Sequence, residues 1–151
     1  MRAANRQQGL AVVEFTLLLP ILLILLLGLT ELGRALYQYS QLEKMARDTA
    51  RFVVEGAASG TTGLVQLTPE VVAEASALAV NGDGNGQPLL PGLTAADVTI
   101  SSLGGTLVKV EIRYRFSPML FGDTLRLPLF GLADDISLQF DLVSSSVMRA
   151  L

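Results

Sequence analysis

The sequence predicts an α+β fold: a long N-terminal helix, half in a bilayer and half above it, followed by a small head with one helix on an antiparallel sheet. Two observations carry this. From Leu10 to Leu29 the chain holds one charge, Glu14, among leucines, valines and isoleucines. From Val98 onward the apolar period changes from that of a helix to that of a strand. The expected organisation is a short N-terminal segment over 1–9, a transmembrane and stalk helix over 10–55, and a head over 56–151.

At ~1.5 Å per residue the run from Leu10 to Leu29 crosses a hydrocarbon core of ~30 Å. Glu14 inside it costs roughly 2.5–3.5 kcal/mol at a helix centre and less near an end. A purely structural anchor has no use for such an acid, so Glu14 is a candidate functional residue in need of a cationic partner. Pro20 removes one backbone donor and frees the carbonyl of Thr16, a place for a kink, with the Thr16 hydroxyl near enough to help satisfy it. Beyond the apolar run, Leu32, Ala35, Tyr39, Leu42, Ala46, Thr49 and Val53 recur at 3-4 spacing, a seam along one helix face. Glu43–Arg47, Lys44–Asp48 and Asp48–Arg51 stand at distances that pair on a helix surface. The small-residue stretch from Gly56 to Gly63 ends the stalk.

Thr68-Pro69-Glu70 is a helix start, with a capping hydroxyl, a proline at the first position and an acid in the first turn. Val71, Val72, Ala75, Leu78 and Ala79 give that helix an apolar face, and Asn81-Gly82 stops it. Val98 to Ser102 reads as a strand, Gly104-Gly105 as a tight turn, and Thr106 to Phe116 as a long strand. On the long strand Val108, Val110, Ile112, Tyr114 and Phe116 face the core, and Lys109, Glu111, Arg113 and Arg115 face water. Ile136, Leu138, Phe140 and Leu142 open a third strand running to about Met148. Between these strands, Pro118 to Ala133 is dense in apolar residues, and Phe121 and Phe130 within it are candidate interface anchors.

Composition narrows the function. The net charge is −3 and the basic residues form no patch, which argues against nucleic acid. The chain has no Cys and no His, so it lacks thiol chemistry and the commonest general base and metal ligand. No phosphate-binding glycine loop precedes a helix, and no cofactor is expected. Asn81, Asp83 and Asn85 mimic the first half of a calcium loop, but Gly92 stands where the closing glutamate belongs. A plain turn explains them, and no metal is expected there. No catalytic constellation stands out, and the chain does not read as an enzyme.

Arg2 and Arg6, then Gly9, then Glu14-Phe15 at the mouth of an apolar run resemble a prepilin-peptidase signal. With Val13, Leu19-Pro20, Gly28 and Glu31-Leu32-Gly33-Arg34, residues 7–55 resemble the TadE-like family, pilin-like proteins of the bacterial Tad (Flp) pilus machinery. The resemblance implies cleavage between Gly9 and Leu10 by a prepilin peptidase, with Glu14 and Phe15 serving processing or assembly. It further implies a single-pass anchor in the inner membrane lipid bilayer and a periplasmic head. The implied partners are other pilin-like subunits and the inner-membrane pilus machinery. A permanently anchored accessory or adhesin-like protein that never enters a fibre is the alternative.

Overall fold

A computed structural model describes residues 4–57, 66–82, 86–120, 122–125 and 136–150. It has the expected class: α1 (Ala4–Ala57), α2 (Pro69–Asn81), and a three-stranded antiparallel sheet of β1 (Val98–Gly104), β2 (Leu107–Phe116) and β5 (Phe140–Arg149) in the order β1-β2-β5. A two-residue pairing of β3 (Thr124–Leu125) with β4 (Ile136–Ser137) lies beside it.

The helix α1 runs unbroken through Pro20. The Thr16 hydroxyl does not serve the carbonyl that Pro20 leaves free. It donates to the Val12 carbonyl one turn back, at 2.8 Å, the usual reach of a threonine side chain in a helix. The apolar first half of α1 is exposed from Gly9 to Thr30 except at Leu19, which is half-buried, whereas the second half packs against β5, α2 and β2. Length, composition and exposure together are those of a membrane span.

The seam on the second half is turned from its expected position. Ala35, Leu42, Ala46, Thr49 and Val53 are buried as predicted, but Leu32 and Tyr39 point to solvent. Their places are taken by Glu31 and Gln38, one residue earlier in each turn. Apolarity favours Leu32 and Tyr39, but the head brings hydrogen-bond partners to Glu31. Of the expected surface pairs, Glu43–Arg47 forms at 3.2 Å. Arg51 turns forward to Glu55 at 2.9 Å instead of back to Asp48, and Lys44–Asp48 makes no ion pair among the described residues.

The second helix starts and stops where its signals stand. The Thr68 hydroxyl accepts from the Val71 amide, and Gly82 at φ 71° closes the helix with its amide donating to the Leu78 carbonyl. Its buried face is Ala75, Ser76, Ala79 and Val80, with Val71 packed at the margin. On β2 the alternation holds throughout: Val108, Val110, Ile112, Tyr114 and Phe116 are buried against the helices. On the other face Glu111 accepts from Lys109 Nζ at 2.8 Å and from Arg113 Nε at 2.9 Å. Gly104 and Gly105 turn the β1–β2 hairpin at φ 104° and 59°, a region that favours glycine.

The third strand divides. Ile136–Ser137 pairs with Thr124–Leu125, and the long strand opposite β2 begins only at Phe140. The Leu138 amide donates to the Asp123 carbonyl, which ties the intervening residues to the smaller pairing. The core is shared: Leu42, Ala46, Ala50 and Val53 of α1 join Ala75 and Ala79 of α2 and Val108, Val110 and Ile112 of β2 in one cluster.

Candidate functional site

Two regions of α1 bear on function. The first is its start. Gly9 is helical, and a Cβ built on it meets nothing within 4 Å. Leu10, Glu14 and Phe15 are exposed on the apolar half, and Glu14 makes no ion pair among the described residues. Leu10 and Glu14 stand one turn apart, so a group at the backbone nitrogen of Leu10 lies on the same side of the helix as the Glu14 carboxylate.

The second is the point where helix and head are joined. Glu31 lies two residues beyond the apolar run and is buried. Its Oε1 accepts from the Leu120 amide at 2.7 Å, and its Oε2 accepts from Arg34 Nε at 3.0 Å. Arg34 reaches on with Nη2, which donates to the Ser117 carbonyl at 2.6 Å, and its guanidinium lies 4.6 Å from the centre of the Phe116 ring. Burial pushes the Glu31 carboxyl up, but the Leu120 amide, the Arg34 hydrogen bond and charge, and the Met119 amide together hold it below the ordinary carboxylate value. The carboxylate thus stays charged and fixes one turn of α1 to the segment leaving β2. Ser117 in turn donates its hydroxyl to Asp123 Oδ1 at 2.7 Å. That bond, with one from Gln139, holds the Asp123 carboxyl low.

This clamp was not anticipated from sequence as a contact. Its signal was present: an acid and an arginine at i, i+3 directly after a membrane-length run, a spacing at which the two meet on a helix.

The other candidates separate from both regions. Asn81 is the last residue of α2, half-buried, while Asp83 and Asn85 lie outside the described residues. No cluster of acidic residues that could hold a metal occurs among the described residues. Phe121 and Phe130 also lie outside the described residues. Of their segment, Pro118 is buried, whereas Met119 and Leu120 are 79% and 52% exposed.

An exposed helix of membrane-spanning length, fixed at its exit to a small α+β head, defines an anchored stalk protein with one candidate span among the described residues. Residues 9–51 match the model of the family described as TadE-like protein, so the anchor and stalk are similar to that family. The match begins at Gly9 and ends near the top of the stalk; it includes the Glu31–Arg34 clamp. No curated protein and no solved structure matched the chain.

Proposed function

We propose that the protein is a TadE-like minor pilin or pseudopilin, a membrane-anchored structural component needed for assembly of a Tad/Flp type IV pilus or a related secretion system. The observation that carries this reading is the coincidence of the family match with an exposed apolar half-helix bearing Glu14, which makes no ion pair among the described residues. The reading places the anchor in the bacterial inner membrane and the head in the periplasm. It has no catalytic role for the chain.

A prepilin peptidase removes residues 1–9 and leaves Leu10 as the first residue. Packing does not call for glycine at this position, since a Cβ added to Gly9 would meet nothing within 4 Å, which leaves the peptidase as the reason for it. The new α-amino group, the subunit's own or a neighbour's, is then the cation for Glu14. At ~4 Å and an effective dielectric of ~20, such a pair gains about 4 kcal/mol before desolvation. That is of the order of the cost of holding the acid in lipid, so pairing decides whether a processed subunit leaves the bilayer for an assembly of pilin-like subunits.

Glu14→Gln tests it. The substitution keeps the size, removes the charge and lowers the cost of burial, so membrane insertion persists or improves. Copurification with other pilin-like subunits falls, because the Leu10 amino group loses its partner. The variant is first verified to be cleaved, so that a processing defect is not read as an assembly defect. A cleaved variant that still copurifies and supports pili at wild-type levels contradicts the pairing.

A further inference from the structure

An open apolar groove of about 280 Å³ runs between α1 and the underside of the head. Its walls include Ile24, Gly28 and Leu32 from the helix and Phe116, Leu138 and Phe140 from the head. Ile24 and Gly28 belong to the run that spans the membrane in the reading above, and the head residues do not. The groove therefore crosses the level at which the helix leaves lipid.

The clamp sets that level. The Leu120 amide is bonded to Glu31, two residues beyond Leu29 and so ~3 Å further along the axis. Met119 and Leu120 are exposed, and in the reading above they lie at the rim of the hydrocarbon. The one acid in the groove wall, Glu31, is spent on Arg34 and the Leu120 amide and offers nothing to a polar ligand. At Gly28 a Cβ would meet nothing within 4 Å, which leaves the floor of the groove open.

We propose that the underside of the head is a lipid-contact surface: Met119 and Leu120 dip into the bilayer interface, and the groove seats an acyl chain of the head-side leaflet. The inference rests on the membrane anchoring proposed above. Lipid is the occupant because the groove continues the exposed apolar surface of Leu25 and Leu29, which the bilayer already covers in that reading. A second copy of the chain would have to displace that lipid. Since Arg34 is already engaged by Glu31 and the Ser117 carbonyl, the surface takes the apolar part of a phospholipid without selecting its headgroup.

The sequence has no tryptophan, so one introduced tryptophan is a unique reporter. Four variants of the full chain are reconstituted in phosphatidylcholine vesicles brominated either near the carbonyl end or near the methyl end of the acyl chains. Leu22→Trp reports on the anchor, Met119→Trp on the rim, Phe140→Trp on the groove, and Leu103→Trp on the far end of the sheet. We expect Leu22→Trp to be quenched most by bromine near the methyl end. Met119→Trp and Phe140→Trp lose a comparable share of emission, most to bromine near the carbonyl end, while Leu103→Trp is unchanged. Replacing part of the lipid by phosphatidylglycerol leaves this pattern as it is. If Leu22→Trp is quenched but Met119→Trp and Phe140→Trp behave like Leu103→Trp, the lipid surface is wrong and the anchor stands. A blue shift at Met119→Trp that grows with the protein-to-lipid ratio, without quenching, identifies a second copy as occupant and overturns the proposal. An unquenched Leu22→Trp removes the anchoring and the inference together.

Discussion

Glu31→Ala breaks the joint between stalk and head. The side chain carries two hydrogen bonds to a charged oxygen, one from the Leu120 amide and one from Arg34. A hydrogen bond to a charged group contributes roughly 1.5–3 kcal/mol, and an amide left without an acceptor costs roughly 1–3 kcal/mol. Arg34 is about a quarter exposed and regains water on losing its partner, so its share is discounted toward that of a surface pair, ~0–1 kcal/mol. The loss for Glu31→Ala is then about 2–3 kcal/mol. In a chain of this size, 1 kcal/mol moves the midpoint by roughly 4 °C, so a fall on the order of 10 °C is expected. The assay is thermal unfolding of the full chain in detergent micelles, with hydrogen exchange at the Leu120 amide as a local readout. Glu43→Ala is the control, since it breaks the exposed Glu43–Arg47 pair of the same helix. Glu31→Gln falls between the two, because its amide oxygen still accepts from Leu120. A Glu31→Ala protein no less stable than Glu43→Ala, with the Leu120 amide still protected, refutes the clamp.

Acid titration gives the clamp a sign. The Glu31 carboxyl is held low in the folded chain, so its stabilisation is complete above its ordinary value of about 4.3 and is lost as pH falls through the lowered one. The melting gap between wild type and Glu31→Gln is therefore full at neutral pH and closes on acidification; a gap that widens in acid contradicts the assignment. Thr49 Oγ1 is buried with no hydrogen-bond partner among the described residues. Thr49→Val, of equal shape, is expected to raise stability by about 1 kcal/mol in the same melts, and a loss would show that the hydroxyl is satisfied. Leu42→Ala, at a fully buried position, is expected to cost about 2–5 kcal/mol. A loss below 1 kcal/mol, a fifth or less of the top of that range, would show that the stalk does not share the head's core. Phe121→Ala with Phe130→Ala is proposed to lower pilus assembly with little change in the melting of the full chain; a large loss of stability would make them core residues.

The strands show which parts of the fold a sequence displays. On β2 one face is buried and the other solvated, so alternation from Val108 to Phe116 reads directly as register. The third strand misleads because Ile136, Leu138, Phe140 and Leu142 keep that alternation across a break. The break is made by a distant partner, the Asp123 carbonyl, and leaves no local mark. The stalk fails in the same way. Choosing Leu32 and Tyr39 over Glu31 and Gln38 follows apolarity, but the buried face of a helix is set by what packs on it, and here that includes a backbone amide from Leu120, far along the chain. The start of the candidate site was legible as composition, a carboxylate in an apolar run. Its joint to the head was not, because that contact exists only once β2 has folded against α1.

N-terminal sequencing of the protein isolated from membranes of its native host tests the central claim most directly. The account predicts a chain beginning at Leu10, followed by Ala11, Val12, Val13 and Glu14. Gly9→Val, which crowds the backbone that a peptidase must approach but meets no neighbour in the folded chain, abolishes that terminus while leaving the melting midpoint unchanged. Native protein that still begins at Met1 contradicts the account, because the amino group meant for Glu14 would never be formed.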